Sequence, residues 1–553
     1  MHTSDYKRYL LRVGLCALAA EIPFNLIVTT SANIYGLTDV TTSLFYPQHQ
    51  NTVFTLLLAL LMLVFCFAAC DNTPTESKPE QTTSNDDVSS ETSTEEKTRY
   101  EAKVPNVKYD GEQFVILTSY ANEDVKRPEF GGAGDEDIVE DVVNTAIATR
   151  NDIVEDKLDI DIVENKVIDS NRWGAGATYT KISTALSGGV LDFHMASPSL
   201  FNSATLAQNG YLEDMMQLEY LHELSESWWH KHFVNEVSLF GKVFYASGDI
   251  SFYNFNATAA ILFNKELFAE YEIEDPYQLV KDKAWTLDKM REIQTIEFSS
   301  DLDVNNIIDY NDRVSITSSN DMMWAQFFAC GGRIVSKDDE GEPYLSIWSE
   351  TNNNYVTKIV EMMQDKENII LADDYFGVVT WPGELVQETF TSGRALMHVG
   401  SIATVDATSD MAYEFGILPY PLYDENQEDY YSFLNPWVGG SVCIPFGHDD
   451  ETLEYISIVM ETMGAEGKNE ITPQFYEVAL KRQKTRDDAS QEMLDIISST
   501  VGCDFGQNAN LAGYPAMLHQ LIKANPGSFN TMYQSLKSKA ESELQSIINA
   551  YNS

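Results

Sequence analysis

Beyond residue 107 the apolar positions fall into short runs separated by stretches of helical periodicity. The run 113–118, Gln-Phe-Val-Ile-Leu-Thr, reads as a buried strand bounded by Gly111 and by Ser119-Tyr120. Ile138, Val142, Val143, Ala146, Ile147 and Ile153 then recur at near-helical spacing, and 158–162 returns to a strand pattern. A third strand reads over 191–197 and a helix over 199–209. Strands interleaved with helices predict an α/β fold whose sheet is mostly parallel, with helices on both faces. In such sheets ligands sit beyond the carboxyl ends of the strands, which singles out Tyr120 and Ser197 as candidate binding residues.

The first hundred residues follow a different pattern. Residues 53–69, VFTLLLALLMLVFCFAA, carry no charge and run directly into Cys70 and Asp71. The next stretch, 72–97, is rich in Ser, Thr and Glu and nearly free of apolar side chains, so it cannot bury enough surface to order itself. An apolar core ending in small residues before a cysteine, then a polar tether, resembles a bacterial lipoprotein signal. That resemblance implies cleavage before Cys70, lipid attachment at Cys70 and a disordered tether over 71–107. Phe67 stands where Leu is usual, and the nearest basic residue upstream is Arg12. The segments KRYLLRVGLCALAAEIPFNLIV and FYPQHQNTVFTLLLALL are similar to pieces of the TraX family of multi-pass membrane proteins. Residues 1–52 are therefore expected to be a TraX-like fragment joined to the signal-like segment 53–70.

Charge narrows the partners. Lys and Arg number 36 against 85 Asp and Glu, a formal net charge of -49, which excludes a sequence-independent grip on nucleic acid and disfavours an anionic lipid surface. Neutral or cationic small molecules, metals and proteins remain. The six cysteines form no CxxC pair, and Cys330, Cys443 and Cys503 read as buried thiols. No GxSxG elbow, HExxH motif or phosphate-cradling loop occurs, and among so many carboxylates chance glycosidase-like pairs are common. No catalytic residue is expected, and any ATPase belongs to a partner.

Across the body, the blocks YDGEQFVILT, VVNTAIATRNDIVEDKLDIDI, GKVFYASGDIS, AILFNKELFAEYEIEDPYQLVKDKAWTLDKM, FTSGRALMHVG and YEFGILPYPLYDENQEDYYS resemble, in this order, the extracellular solute-binding lipoproteins of ABC importers. The resemblance implies a two-lobed, hinge-linked, type 2 periplasmic-binding-protein-like fold with discontinuous lobes around a cleft. Lobe one is expected over 108–250 and 392–460, lobe two over 251–391 and 461–553. It further implies capture of a small solute, a carbohydrate by family habit, by lobe closure, and delivery to an ABC permease from the extracellular face of the cytoplasmic membrane. A secreted glycoside hydrolase and a surface sensor or adhesin subunit are the alternatives.

Two further groups of residues carry candidate chemistry. Asp301, Asp303, Asn305, Ile307, Asp309 and Asp312 place five oxygen side chains and one backbone carbonyl at the spacing of a twelve-residue calcium loop. Position six is Asn306, which enters the left-handed region more readily than most residues. The loop is read either as a structural Ca²⁺ site or as a solvated acidic turn that keeps the same shape, and no other cofactor is expected. Sugar rings pack on aromatic faces while their hydroxyls need directional polar partners. Trp324, in DMMWAQFFACGG, Trp437, in FLNPWVGGSVCIP, and Asp249, in SGDIS, are the further candidate ligand contacts. The stretch 397–402 after the SGRALM block holds no aromatic residue, so a maltodextrin-type platform is not expected at that point.

Overall fold

The computed structural model describes residues 99–122, 129–131, 142–408, 411–481 and 488–552. Cys70, the 53–70 segment, the 1–52 fragment and the tether up to residue 98 lie outside the described residues.

The first sheet contains β1 (Glu112–Tyr120), β2 (Ile160–Ile168) and β3 (Met195–Ser197) in the order β2-β1-β3, all parallel. Helix α1 (Val142–Leu158) joins β1 to β2 and buries Val143, Ala146, Ile147, Val154 and Leu158. Helices α2 (Ala177–Gly188) and α3 (Leu200–Gln208) flank β3, and Ser199 caps α3 by accepting from the Asn202 amide. Alternating strands and helices thus produce the parallel arrangement expected from the apolar pattern.

The second sheet is larger. It holds β4 (Ala259–Asn264), β5 (Val314–Ser318), β8 (Ile369–Leu371), β9 (Ala395–Ser401) and β10 (Phe415–Leu418) in the order β10-β4-β9-β5-β8. β5 runs parallel to β8 and β9, while β4 is antiparallel to both β9 and β10. Among the described residues two small pairs complete the strands: β6 (Val335–Lys337) with β7 (Pro343–Leu345), and β11 (Ser432–Phe433) with β12 (Val501–Gly502).

The sheets define two lobes whose extents differ from those expected. The boundary set at residue 392 falls inside the second sheet, because β9 pairs on one side with β4 and on the other with β5. The reason is burial: Ala395–Val399 are sequestered on both faces, as a central strand requires. The chain returns to the first lobe later, where Cys443 bridges Ala196 and Pro445 bridges Leu212. The C-terminal segment also touches both lobes. Helix α9 (Phe529–Asn552) receives Lys242 Nζ on the Tyr551 carbonyl at 2.6 Å and stacks Tyr533 on Trp348. Residues 99–107, expected to belong to the tether, lie against the body instead. Arg99 pairs with Glu466 and Glu470 at 2.5 and 2.7 Å, and Tyr100 exchanges two hydrogen bonds with the Asn469 amide side chain.

Two of the segments that cross between the lobes run side by side. Ala246 bridges Val442 and Thr258 bridges Leu434, both antiparallel. The first crossing segment is held from the side. Arg150 of α1 donates to the Ile250 carbonyl at 3.2 Å, and Ser251 donates to the buried Glu129 carboxylate. Helix α7 (Asp450–Glu466) ends beside it at Gly467, where an added Cβ would lie 2.1 Å from the Asp249 carbonyl. Paired connections of this kind form a hinge.

Candidate functional site

The carboxyl ends of strands from both sheets converge on three neighbouring cavities. The first, about 220 Å³, lies past β1 and β3 and is lined by Ser119, Tyr120, Glu129, Arg172, Ser197 and Tyr253, among others. The second, about 570 Å³, is walled by Trp173, Trp324, Trp437, Phe376, Trp381 and His519, together with three carboxylates. The third, about 200 Å³, lies past β5 and β9, where Ser318 and Gly400 face Tyr420 and Asn435. Ser319, Asp321 and Gln387 belong to both the second and third cavities, and Val438 to both the first and third. The three are therefore one branched cleft.

The first-lobe wall is the loop between β2 and α2. Asp169 accepts from the Thr178 amide at 2.9 Å, and Asn202 Oδ1 accepts from Gly176 N at 3.1 Å. Gly176 is required there, since a Cβ would meet the Asn171 carbonyl and the Asp169 carboxylate at 2.3 Å. Ser199 Oγ donates to the Arg172 carbonyl from the start of α3. So fixed, the loop presents Trp173, 41% exposed, with its ring stacked on Phe201 at 4.5 Å. That ring lies 5.2 Å from Trp437 and 6.2 Å from Trp324, reaching across to the second lobe.

The second-lobe wall is helix α4 (Met322–Ala329) with helix α8 (Tyr514–Leu521). Asp321 and Trp324 are three positions apart and so share a helix face. Trp324 is buried, donates its indole N–H to the Pro515 carbonyl at 2.9 Å and stacks face to face on His519 at 4.0 Å. Asn435 Nδ2 donates to Asp321 Oδ2 at 2.8 Å. Partial desolvation raises the pKa of the half-exposed Asp321 carboxyl, and burial pushes the His519 imidazole down to about 4, so His519 is neutral near neutral pH. The loop after β8 supplies Phe376, 62% exposed, and Trp381, 71% exposed, ahead of helix α6 (Gly383–Thr391).

In the first cavity, Tyr120 is buried, donates its hydroxyl to Glu164 and accepts from the Glu129 amide at 2.7 Å. Burial and the neighbouring Glu164 raise its pKa. Ser197 Oγ donates to Glu129 Oε2 at 3.2 Å. Burial pushes the Glu129 carboxyl up to about 7 against the hydrogen bonds from Ser251 and Ser197 and the attraction of Arg172. The Arg172 Nε and the Ser119 hydroxyl are buried there without a hydrogen-bond partner.

Four of the five expected ligand contacts, Tyr120, Ser197, Trp324 and Trp437, line the cleft. Asp249 does not. It is buried in the hinge, where Lys468 Nζ lies 3.2 Å from Oδ2 and the Thr472 hydroxyl donates to Oδ1 at 3.0 Å. An aspartate in a turn gives the same sequence signal whether it meets a ligand or a neighbouring helix. Trp173, Phe376, Trp381 and Asp321 are not singled out by the sequence pattern. The strand-end rule, extended to β2 and β8, points to the loops that carry Trp173 and Trp381.

In the 301–312 loop, carboxylate oxygens of Asp301, Asp303 and Asp312 lie within 4.8 Å of one another. Asn306 does adopt a left-handed conformation, φ 66°. The side chains of all five oxygen-bearing positions also accept from backbone amides within the loop, Asn305 from Ile307 at 2.7 Å and Asp309 from Asn311 at 2.8 Å among them. Cys330, Cys443 and Cys503 are buried free thiols.

No protein-family model matches the chain, and no curated protein matches it in sequence. Among solved structures it is similar to the ABC substrate-binding protein Lmo0181 of Listeria monocytogenes in complex with cycloalternan. The identity is 12%, 78% of this chain and 99% of that one are covered, and the TM-score is 0.46. RafE of Streptococcus pneumoniae gives 14% identity, 78% and 98% coverage and a TM-score of 0.46. Maltose-bound MalE3 of T. maritima gives 12%, 79% and 99%, and 0.45. Likeness at that level carries no argument about function, which has to come from this chain's own side chains.

Proposed function

We propose that this protein is a solute-binding protein that captures a small carbohydrate by closing its two lobes and delivers it, chemically unaltered, to an ABC permease. The observation that carries the reading is the cleft itself. Trp173 from one lobe and Trp324 from the other line a single 570 Å³ cavity, which also holds Asp321 and Gln387. Aromatic faces fit the CH-rich faces of sugar rings, and carboxylate and amide groups fit their hydroxyls. A ligand that touches both lobes stabilises the closed form by contacts that only closure makes available.

The reading extends to a lipid on Cys70 that holds the protein at the extracellular face of the cytoplasmic membrane, with the polar stretch after it as a tether. It also gives the 301–312 loop a structural Ca²⁺ held by Asp301, Asp303, Asn305, Asp309, Asp312 and the Ile307 carbonyl, of which Asp301, Asp303 and Asp312 already stand together. The test is a thermal-shift and calorimetric panel of mono- and oligosaccharides, amino acids and peptides. Saturable stabilisation by a saccharide, with the saccharide recovered intact, is expected. Stabilisation by amino acids or peptides alone, or hydrolysis of the bound sugar, contradicts it.

A further inference from the structure

The large cavity is unbalanced in charge. Asp321, Asp373 and Glu384 line it, and among the described residues lining it there is no lysine or arginine. The nearby Lys366 and Lys523 are directed to Asp374, at 2.7 and 3.6 Å, which is not a lining residue. His519, the remaining basic side chain of the wall, is held neutral by burial. Its Nε2 is buried without a hydrogen-bond partner and lies 3.5 Å from Asp321 Oδ1. Asp321 Oδ2 accepts from Asn435, and the Asp321 side chain stays 45% exposed at the cavity wall.

That charge imbalance discriminates between the groups a sugar ring can present. A hydroxyl is neutral, whereas an ammonium carries a full positive charge and three donors. Asp321, Asp373 and Glu384 attract that charge, and the partly exposed rings of Trp173 and Trp381 favour a cation over their faces. A net charge of -49 favours arrival of a cation over a neutral or anionic solute.

We propose that the Trp324–His519–Asp321 corner selects saccharides carrying a protonated amino group, so that the ligand class is amino sugars in preference to neutral sugars. The proposal rests on the carbohydrate reading and adds the charge of the ligand to it.

The experiment is calorimetric titration of the full chain in detergent at slightly acid pH with matched pairs: glucosamine and glucose, galactosamine and galactose, the glucosamine dimer and cellobiose. In at least one pair the amine is expected to bind about tenfold tighter. That ratio should shrink at high salt and fall to about one in Asp321→Asn. N-acetylated counterparts, which keep the shape and lose the charge, should bind like the neutral sugars. Binding of neutral sugars with no amine preference overturns this proposal and leaves the carbohydrate reading standing. Failure of every saccharide overturns both. A preference that persists undiminished in Asp321→Asn overturns the assignment to this corner.

Discussion

Trp381 offers the cleanest test of the aromatic wall, because 71% of its surface is exposed while its ring lines the 570 Å³ cavity. Replacing an exposed side chain changes fold stability by about 0.5 kcal/mol or less, so Trp381→Ala should leave the melting temperature nearly unchanged. Its effect on binding should be much larger. Burying an aromatic side chain fully is worth about 1.5–3 kcal/mol, and most of this ring is still open to be covered by a ligand. Covering it contributes roughly 1–2 kcal/mol, to which ring stacking adds about 0.5 kcal/mol or more. A loss of about 2 kcal/mol corresponds to a Kd raised about thirtyfold. The assay is calorimetric titration with the saccharide that gives the largest thermal shift, on wild type, Trp381→Ala and Trp381→Phe. The phenylalanine variant should keep most of the affinity. A Kd within about twofold of wild type in Trp381→Ala refutes the placement of the ligand against this wall.

Three other outcomes follow from the geometry. Asp249→Ala removes the partner of Lys468 and Thr472 in the hinge and should cost about 3 kcal/mol in chemical denaturation. The intrinsic ligand Kd, measured where the variant is folded, should stay within about twofold. For Glu129, burial raises the folded-state pKa to about 7, above its unfolded value. Its contribution is therefore fully present below the ordinary carboxylate pKa and is lost as pH rises toward about 7. Glu129→Gln should remove that part of the decline in melting temperature, and an unchanged pH profile counts against a buried, titrating Glu129. Finally, a chelator should lower the melting temperature and added Ca²⁺ should restore it, with Asp303→Ala abolishing the response. Identical melting with and without Ca²⁺ rules out the structural ion.

Local periodicity made the first lobe legible. The apolar runs and helical spacing over 113–209 yield β1, β2, β3, α1 and α3 in parallel order, while the pattern does not single out α2. It could not show that β9 sits between β4 and β5, because a run such as Ala395–Val399 reads the same wherever it inserts, and its partners lie far away in sequence. In the site, Tyr120 and Ser197 were accessible through the strand-end rule, while Trp324 and Trp437 came from sequence context. Trp173 and Trp381 sit in loops with no periodic signal, and tertiary placement alone separates them from Trp285, which is buried and donates its indole N–H to the Pro419 carbonyl. Asp249 shows the converse limit, since its partners Lys468 and Thr472 come from the distant C-terminal part of the chain.

Closure around a guest is the central claim, and an interlobe distance measures it. Spin labels at Thr184 on α2 and at Glu361 on helix α5 (Glu350–Met363) occupy exposed positions in the first and second lobes. Saturating saccharide should shift the distance distribution measured by pulsed dipolar spectroscopy to shorter values and narrow it. A distribution unchanged while the saccharide is bound would contradict a hinged capture device.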